Sequence, residues 1–191
     1  GNYRYQVVAR DSSGTEKKVV DKLFSVAIQT ISGVGDVNKT LFYNSDLVAK
    51  IGHQSMGNAL EKKACASYAL AYCNAIVKGK VVNPHSYWLG EKTVDCVWSK
   101  GNYTTSAYAS EKEVLGQAYA QISAGFPCIL HVTGKTEQHW ITLIGYKNAL
   151  LINSLTTENF VAIDPWDGET FTVSERYKVK STYRLGIQAY N

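Results

Sequence analysis

No apolar run in this sequence approaches the roughly 18–20 residues needed to cross a bilayer, so insertion into a membrane is not expected. Charge is also scarce. Only 19% of the 191 residues are charged while 45% are hydrophobic, which excludes intrinsic disorder and leaves enough apolar surface for the core of one domain. Arginine is scarcer still, with 4 of the 20 basic residues, and the lysines are scattered as singles and short pairs. A net charge of +4 spread in this way describes a solvated face, and no nucleic-acid partner is expected. The opening Gly1-Asn2-Tyr3-Arg4 lacks the charged and then apolar pattern of a signal peptide, as in a mature or trimmed chain. The four cysteines, Cys65, Cys73, Cys96 and Cys128, show neither a CxxC pair nor metal-ligand spacing. No metal, no cofactor and no dense disulfide framework is expected, and at least one thiol is free to have a role. Internal repeats and low-complexity tracts are absent.

What is present has an order. Residues 3–9 alternate weakly and meet the turn cluster Asp11-Ser12-Ser13-Gly14, which predicts a short strand. Over 16–31, Val19, Val20, Leu23, Phe24, Ala27 and Ile31 fall near helical spacing, which favours an amphipathic helix ended by Gly33 and Gly35. Residues 36–60 show little periodicity and read as irregular chain. The clearest helix is 65–77, where Cys65, Tyr68, Ala69, Tyr72, Cys73 and Ile76 recur at three- and four-residue steps among alanines small enough for close packing. Gly79 is placed to stop it. Pro84, after Asn83, starts a short second helix, and Val114, Leu115, Ala118 and Ile122 form the stripe of a third over 111–123. After Gly125 the period changes from 3.6 to 2, giving strands at 128–132, 139–146, 160–163 and 183–190. Helices first and an antiparallel sheet second mean an α+β domain rather than alternating α/β. The domain occupies 51–191, and residues 1–50 form an amino-terminal extension wrapped on it.

Three residues in this order could carry chemistry. Cys65 stands at or near a helix start, where the dipole and a nearby imidazolium favour the nucleophilic thiolate. His139 opens a strand beside the core and can form that ion pair and donate a proton to a leaving amine. Asp164, in Ile163-Asp164-Pro165, closes the next strand and can fix the tautomer of His139. Each has a plainer reading. A cysteine in an alanine-rich helix is by default a small buried hydrophobe, as Cys73 is expected to be, and an aspartate before proline is by default a turn former. Asp167, the rival carboxylate, reads as a turn residue in Trp166-Asp167-Gly168. Trp140 and Trp166 either shield the ion pair or pack in the core, and His53, His85 and His131 read as structural or surface residues.

With their neighbours these residues resemble the papain-like cysteine peptidases, and within them the bacteriocin-leader-processing (double-glycine leader) peptidases and related secreted bacterial proteins. Residues 64–72, ACASYALAY, look like that branch's nucleophile helix, and 125–130, GFPCIL, like the strand after its glycine-any-proline turn. Residues 139–146, HWITLIGY, resemble its histidine strand, and 161–168, VAIDPWDG, its aspartate strand and turn. The pattern covers about residues 54–175. It implies a helical half with a buried nucleophile helix packed on a carboxy-terminal antiparallel sheet. It also implies cleavage of a peptide or amide bond by a Cys65-His139-Asp164 triad through a thioester, with a peptide or protein as substrate and an extracellular or cell-surface location.

Two positions depart from the family. Ala66 stands where glycine usually follows the cysteine. The glutamine expected about six residues before the cysteine falls on Ala59, and the nearest carboxamides are Asn58 and Gln54. Gln54 is the one assigned to the oxyanion hole, with the backbone N–H of Cys65 as second donor. Asn58-Ala59-Leu60-Glu61 has the form of a capping box, and a helix beginning there would put Cys65 in its second turn. The alternative to an enzyme is a non-catalytic papain-like module for binding or cell-surface interaction, suited by 13 tyrosines and the amino-terminal extension.

Overall fold

The computed structural model describes residues 37–189 in full and, before them, the backbone of two strands. The chain divides into two compact units, 1–35 and 36–191.

In the first unit β1 (Asn2–Arg10) pairs antiparallel with β2 (Glu16–Ser25). The helix expected over 16–31 is therefore corrected through Ser25, while 26–31, the stops Gly33 and Gly35, and the turn cluster at 11–14 lie outside the described residues. The error has a physical source. The doublets Val19-Val20 and Leu23-Phe24 satisfy helical spacing, but they also give each face of a strand one apolar residue, and β-branched valines favour extended chain. A bulge takes up the odd residue: Val7 pairs with Val20 and Val8 with Lys18, leaving Val19 extra.

The second unit is α+β. After β3 (Lys39–Thr40) come α1 (Ser45–Ile51), α2 (Cys65–Lys78), β4 (Trp88–Gly90), β5 (Thr93–Cys96), β6 (Tyr103–Ala107) and α3 (Glu111–Ser123). Then follow β7 (Cys128–Thr133), β8 (His139–Tyr146), β9 (Phe160–Ile163), β10 (Thr170–Thr172), α4 (Val173–Arg176), β11 (Lys178–Val179) and β12 (Arg184–Gln188). The main sheet runs β10-β9-β8-β7-β12-β6, with β3 added to β8 and β11 to β7, every pair antiparallel. Residues 37–50, counted with the extension from sequence, belong to this unit. The irregular chain expected over 36–60 contains β3 and α1. With 7 residues, α1 is too short to show a period, and Val48 is its one buried side chain.

The sheet is covered on both faces, which explains why β7 and β8 read as nearly continuous apolar runs. From β7 and β8, Leu130, Val132, Ile141 and Leu143 pack with Val114, Leu115, Ala118 and Ile122 of α3. The alternate residues Ile129 and Ile144 face α2, where they meet Ala69, Leu70 and Ala71 or Tyr72. Close approach of α2 to the sheet needs its small side chains, and Ala69 and Ala71 are wholly buried. Buried Thr142 of β8 ties the two together by donating to Ala69 O over 3.0 Å. Gly79 ends α2 in the left-handed region at φ 64°, its N–H returning to Ala75 O. The short helix expected after Asn83 is a 3-10 turn, Pro84–Tyr87, with Asn83 accepting from His85 N–H.

Replacing the buried hydroxyl at 142 removes one hydrogen bond, the second donor to a helix carbonyl. Thr142→Val should lower the free energy of unfolding by about 1–2 kcal/mol, read from urea denaturation. An unchanged midpoint would mean that this bond does not anchor α2.

Candidate active site

The segment before α2 decides where the helix bearing Cys65 starts. Asn58 Oδ1 accepts from the N–H groups of Leu60 and Glu61, and Glu61 Oε2 accepts from Asn58 N–H at 2.6 Å. The capping-box hydrogen bonds form, but they close residues 58–61 at the entry to a separate 3-10 turn, Glu61–Lys63, and do not begin α2. The chain then breaks at Ala64 (φ −94°, ψ 33°), and α2 starts afresh at Cys65. The thiol therefore sits in the first turn of a 14-residue helix, where the unpaired N–H groups and the dipole favour negative charge. No protein acceptor for the Cys65 N–H is found among the described residues. Cys65 itself is half-buried and forms no disulfide.

The imidazole lies against this thiol. His139 is the first residue of β8 and is buried, and its Nε2 is 2.7 Å from Asp164 Oδ1. Cys65 adds to the stabilisation of the charged ring, and with Nε2 held by Asp164, Nδ1 is the nitrogen left for the sulfur. Asp164 follows β9 and is only 1% exposed. A carboxylate so deep is stable as an anion only if its lone pairs are satisfied, and all are. Oδ1 also accepts from Trp166 N–H at 2.9 Å, while Oδ2 accepts from Tyr177 OH at 2.8 Å and from Arg176 at 3.1 Å.

Electrostatics follow from these contacts. Burial works against a charged His139 ring, but hydrogen bonds and charge from Asp164 and Cys65 outweigh it and hold the imidazolium well above the ordinary histidine range. Burial likewise opposes the Asp164 anion, and the bonds from His139, Trp166 N–H and Tyr177 overcome it, holding the carboxyl below its ordinary range.

Gln54 is buried in a 3-10 turn, Gln54–Met56, that docks on the turn after Asp164: Gln54 N–H donates to Pro165 O and Ser55 N–H to Trp166 O. Its Nε2 donates to Glu61 O at 3.1 Å, and its Oε1 has no partner among the described residues. The carboxamide thus abuts the loop leading into Cys65. The residues from Gly57 to Ala64, folded into the capped 3-10 turn, account for its extra distance along the chain.

The remaining candidates separate. Asp167 accepts from Glu169 N–H and from Arg176 at 2.7 Å, so it stands one residue behind the pair. Trp140 faces away from it, stacked on His131 with centroids 4.2 Å apart and set edgewise to Trp98. Trp166, 45% exposed, borders a cavity of about 230 Å³ with Lys135, Thr136, His139 and Tyr177. His53 bonds Ser55 and Trp166 O, His85 bonds Glu61, and burial with Lys180 and Arg184 nearby presses His131 down to about 4. Cys73 and Cys128 are fully buried, and burial raises Cys73 to about 12.

Arg176 and Tyr177 escape a reading of the sequence. The Thr172-x-x-Glu175 capping box at α4 was legible, but nothing local shows that the residues at its end reach a buried aspartate. Protein-family models, curated proteins and solved structures were all compared with the chain, and none matches.

The ion pair should shape stability against pH. A raised imidazole contributes fully below its unfolded value, near 6.5, and loses that contribution as pH rises through the folded value. A depressed carboxyl contributes above its unfolded value, near 4, and loses it as pH falls through the folded value. The stability lost in Asp164→Asn should therefore be greatest at about pH 5–6 and shrink on either side, as denaturation midpoints across pH can show. A loss independent of pH would contradict this pairing.

Proposed function

We propose that the chain is a cysteine peptidase-like hydrolase that cleaves peptide or related amide bonds through Cys65, His139 and Asp164. The observation that carries this reading is a half-buried thiol at a helix start that interacts with a buried imidazole, one nitrogen of which is held by a saturated carboxylate. A core cysteine needs none of these partners.

The chemistry runs in two halves. The Cys65 thiolate attacks the carbonyl carbon, and the C=O electron pair moves onto oxygen. The oxyanion is met by the Cys65 N–H and by Gln54 Nε2, which carries a second hydrogen besides the one directed to Glu61 O. As the tetrahedral species collapses, the C–N bond breaks and His139 Nδ1–H gives its proton to the departing amine, leaving a thioester. Water then loses a proton to Nδ1 and attacks the thioester, and the sulfur leaves as thiolate beside a renewed imidazolium. The cavity bounded by Lys135, Thr136, His139, Trp166 and Tyr177 adjoins the ring that protonates the amine, which offers room for the leaving-group side of a substrate. A non-catalytic binding role is favoured by one contact alone, the engagement of Gln54 Nε2 with Glu61 O.

Reactivity of the thiol gives the first check. Iodoacetamide should alkylate Cys65 at about pH 6 nearly as fast as at pH 8, and His139→Ala should slow the rate at the lower pH by about tenfold or more. Cys65→Ala should abolish cleavage of a mixed peptide library. Alkylation that collapses at the lower pH in the intact chain, or cleavage that survives Cys65→Ala, would contradict the reading.

The oxyanion assignment is checked separately. Gln54→Ala should lower kcat by about 10²–10³-fold with KM little changed. An unaltered kcat would leave the oxyanion to backbone donors.

A further inference from the structure

Asp164 has more partners than the orientation of one imidazole requires. A carboxylate offers about four lone-pair sites. On Asp164, two partners sit on the oxygen facing His139 and two, Tyr177 OH and Arg176, on the oxygen facing away. The second pair is itself built in. Arg176 is the last residue of α4, whose first turn is fixed by the Thr172/Glu175 capping box. Its guanidinium lies 4.6 Å over the Phe171 ring and also bonds Asp167 Oδ2 at 2.7 Å. The Tyr177 ring is set edgewise to Phe171 and lies 5.3 Å from the His139 ring.

We propose that Arg176 and Tyr177 are positioning residues that keep Asp164 charged and fixed while His139 gives up its proton. The proposal rests on the hydrolase reading above. When the imidazolium becomes neutral, Asp164 loses the positive charge beside it while remaining 1% exposed. A buried carboxylate left so would draw the proton back to the pair. Arg176 carries a permanent charge, and burial together with the Asp164 charge raises the Tyr177 phenol, so it remains a donor. These two groups stabilise the anion most at the moment when His139 is neutral and thus favour proton release to the amine. The other titratable groups nearby do not substitute for them: Asp167 and Glu175 carry the same sign, the Tyr72 hydroxyl donates to Gly52 O, and Lys135, which borders the same cavity, makes no hydrogen bond or ion pair with Asp164.

The test uses the full chain and needs no substrate for its main readout. The His139 ring is titrated by NMR in Tyr177→Phe, Arg176→Ala and Arg176→Lys, each first confirmed to be folded. Tyr177→Phe keeps the ring packing if Arg176→Ala does not fold. The midpoint should move to higher pH by about half a unit or more in Tyr177→Phe and in Arg176→Ala, with Arg176→Lys between Arg176→Ala and the parent. Where peptide cleavage is measured, kcat should fall by about tenfold with KM little changed. A midpoint that stays or moves down in the folded variants overturns the proposal. Absence of cleavage by the parent chain overturns the hydrolase reading instead, because the titration does not depend on turnover.

Discussion

A buried carboxylate with four hydrogen bonds organises this domain. Removing the Asp164 charge from water is costly, and the cost is offset only if donors converge on it from several directions. They come from the first residue of β8, from the turn at Trp166 and from the end of α4. Those segments are fixed relative to one another by the need to satisfy one side chain. The same turn reaches further, because the carbonyls of Pro165 and Trp166 accept from Gln54 and Ser55. The stretch bearing the proposed oxyanion donor and the stretch bearing the carboxylate are thereby held as one body.

The Cys65 thiol arrives by different physics. Helix α2 reaches the sheet through alanines, and the hydroxyl of Thr142 fastens it to β8, the strand that begins with His139. Dispersion and burial therefore set how near the thiol approaches the ring, while hydrogen bonds to Asp164 set how the ring is turned. The break at Ala64 matters for the same reason. It frees the N–H groups of Cys65 and Ala66, which a helix continuous from Asn58 would have used internally.

Much of this was legible in the residues. The three- and four-residue steps from Cys65 to Ile76 marked α2, the change to a period of two marked β7 to β9, and the order of Cys65, His139 and Asp164 suggested a site before any geometry was known. Long elements with one dominant period are readable because each turn or pleat repeats the message. The amino-terminal strand β2 was misread because doublets of apolar residues satisfy both periods. Short pieces, α1 and β4 to β6, had too few residues for any period. Arg176 and Tyr177 were illegible for another reason: their partner is 12 and 13 positions away and approached through a turn, a relation that local pattern does not encode.

The proposed hydrolysis requires a thiolate and imidazolium pair formed by Cys65 and His139 in the resting protein. Ultraviolet thiolate absorbance at about pH 6, taken as the difference between the parent chain and Cys65→Ala, measures it directly. A thiolate band that disappears in His139→Ala is the result this account predicts. A difference spectrum without that band, in a folded protein, would contradict it.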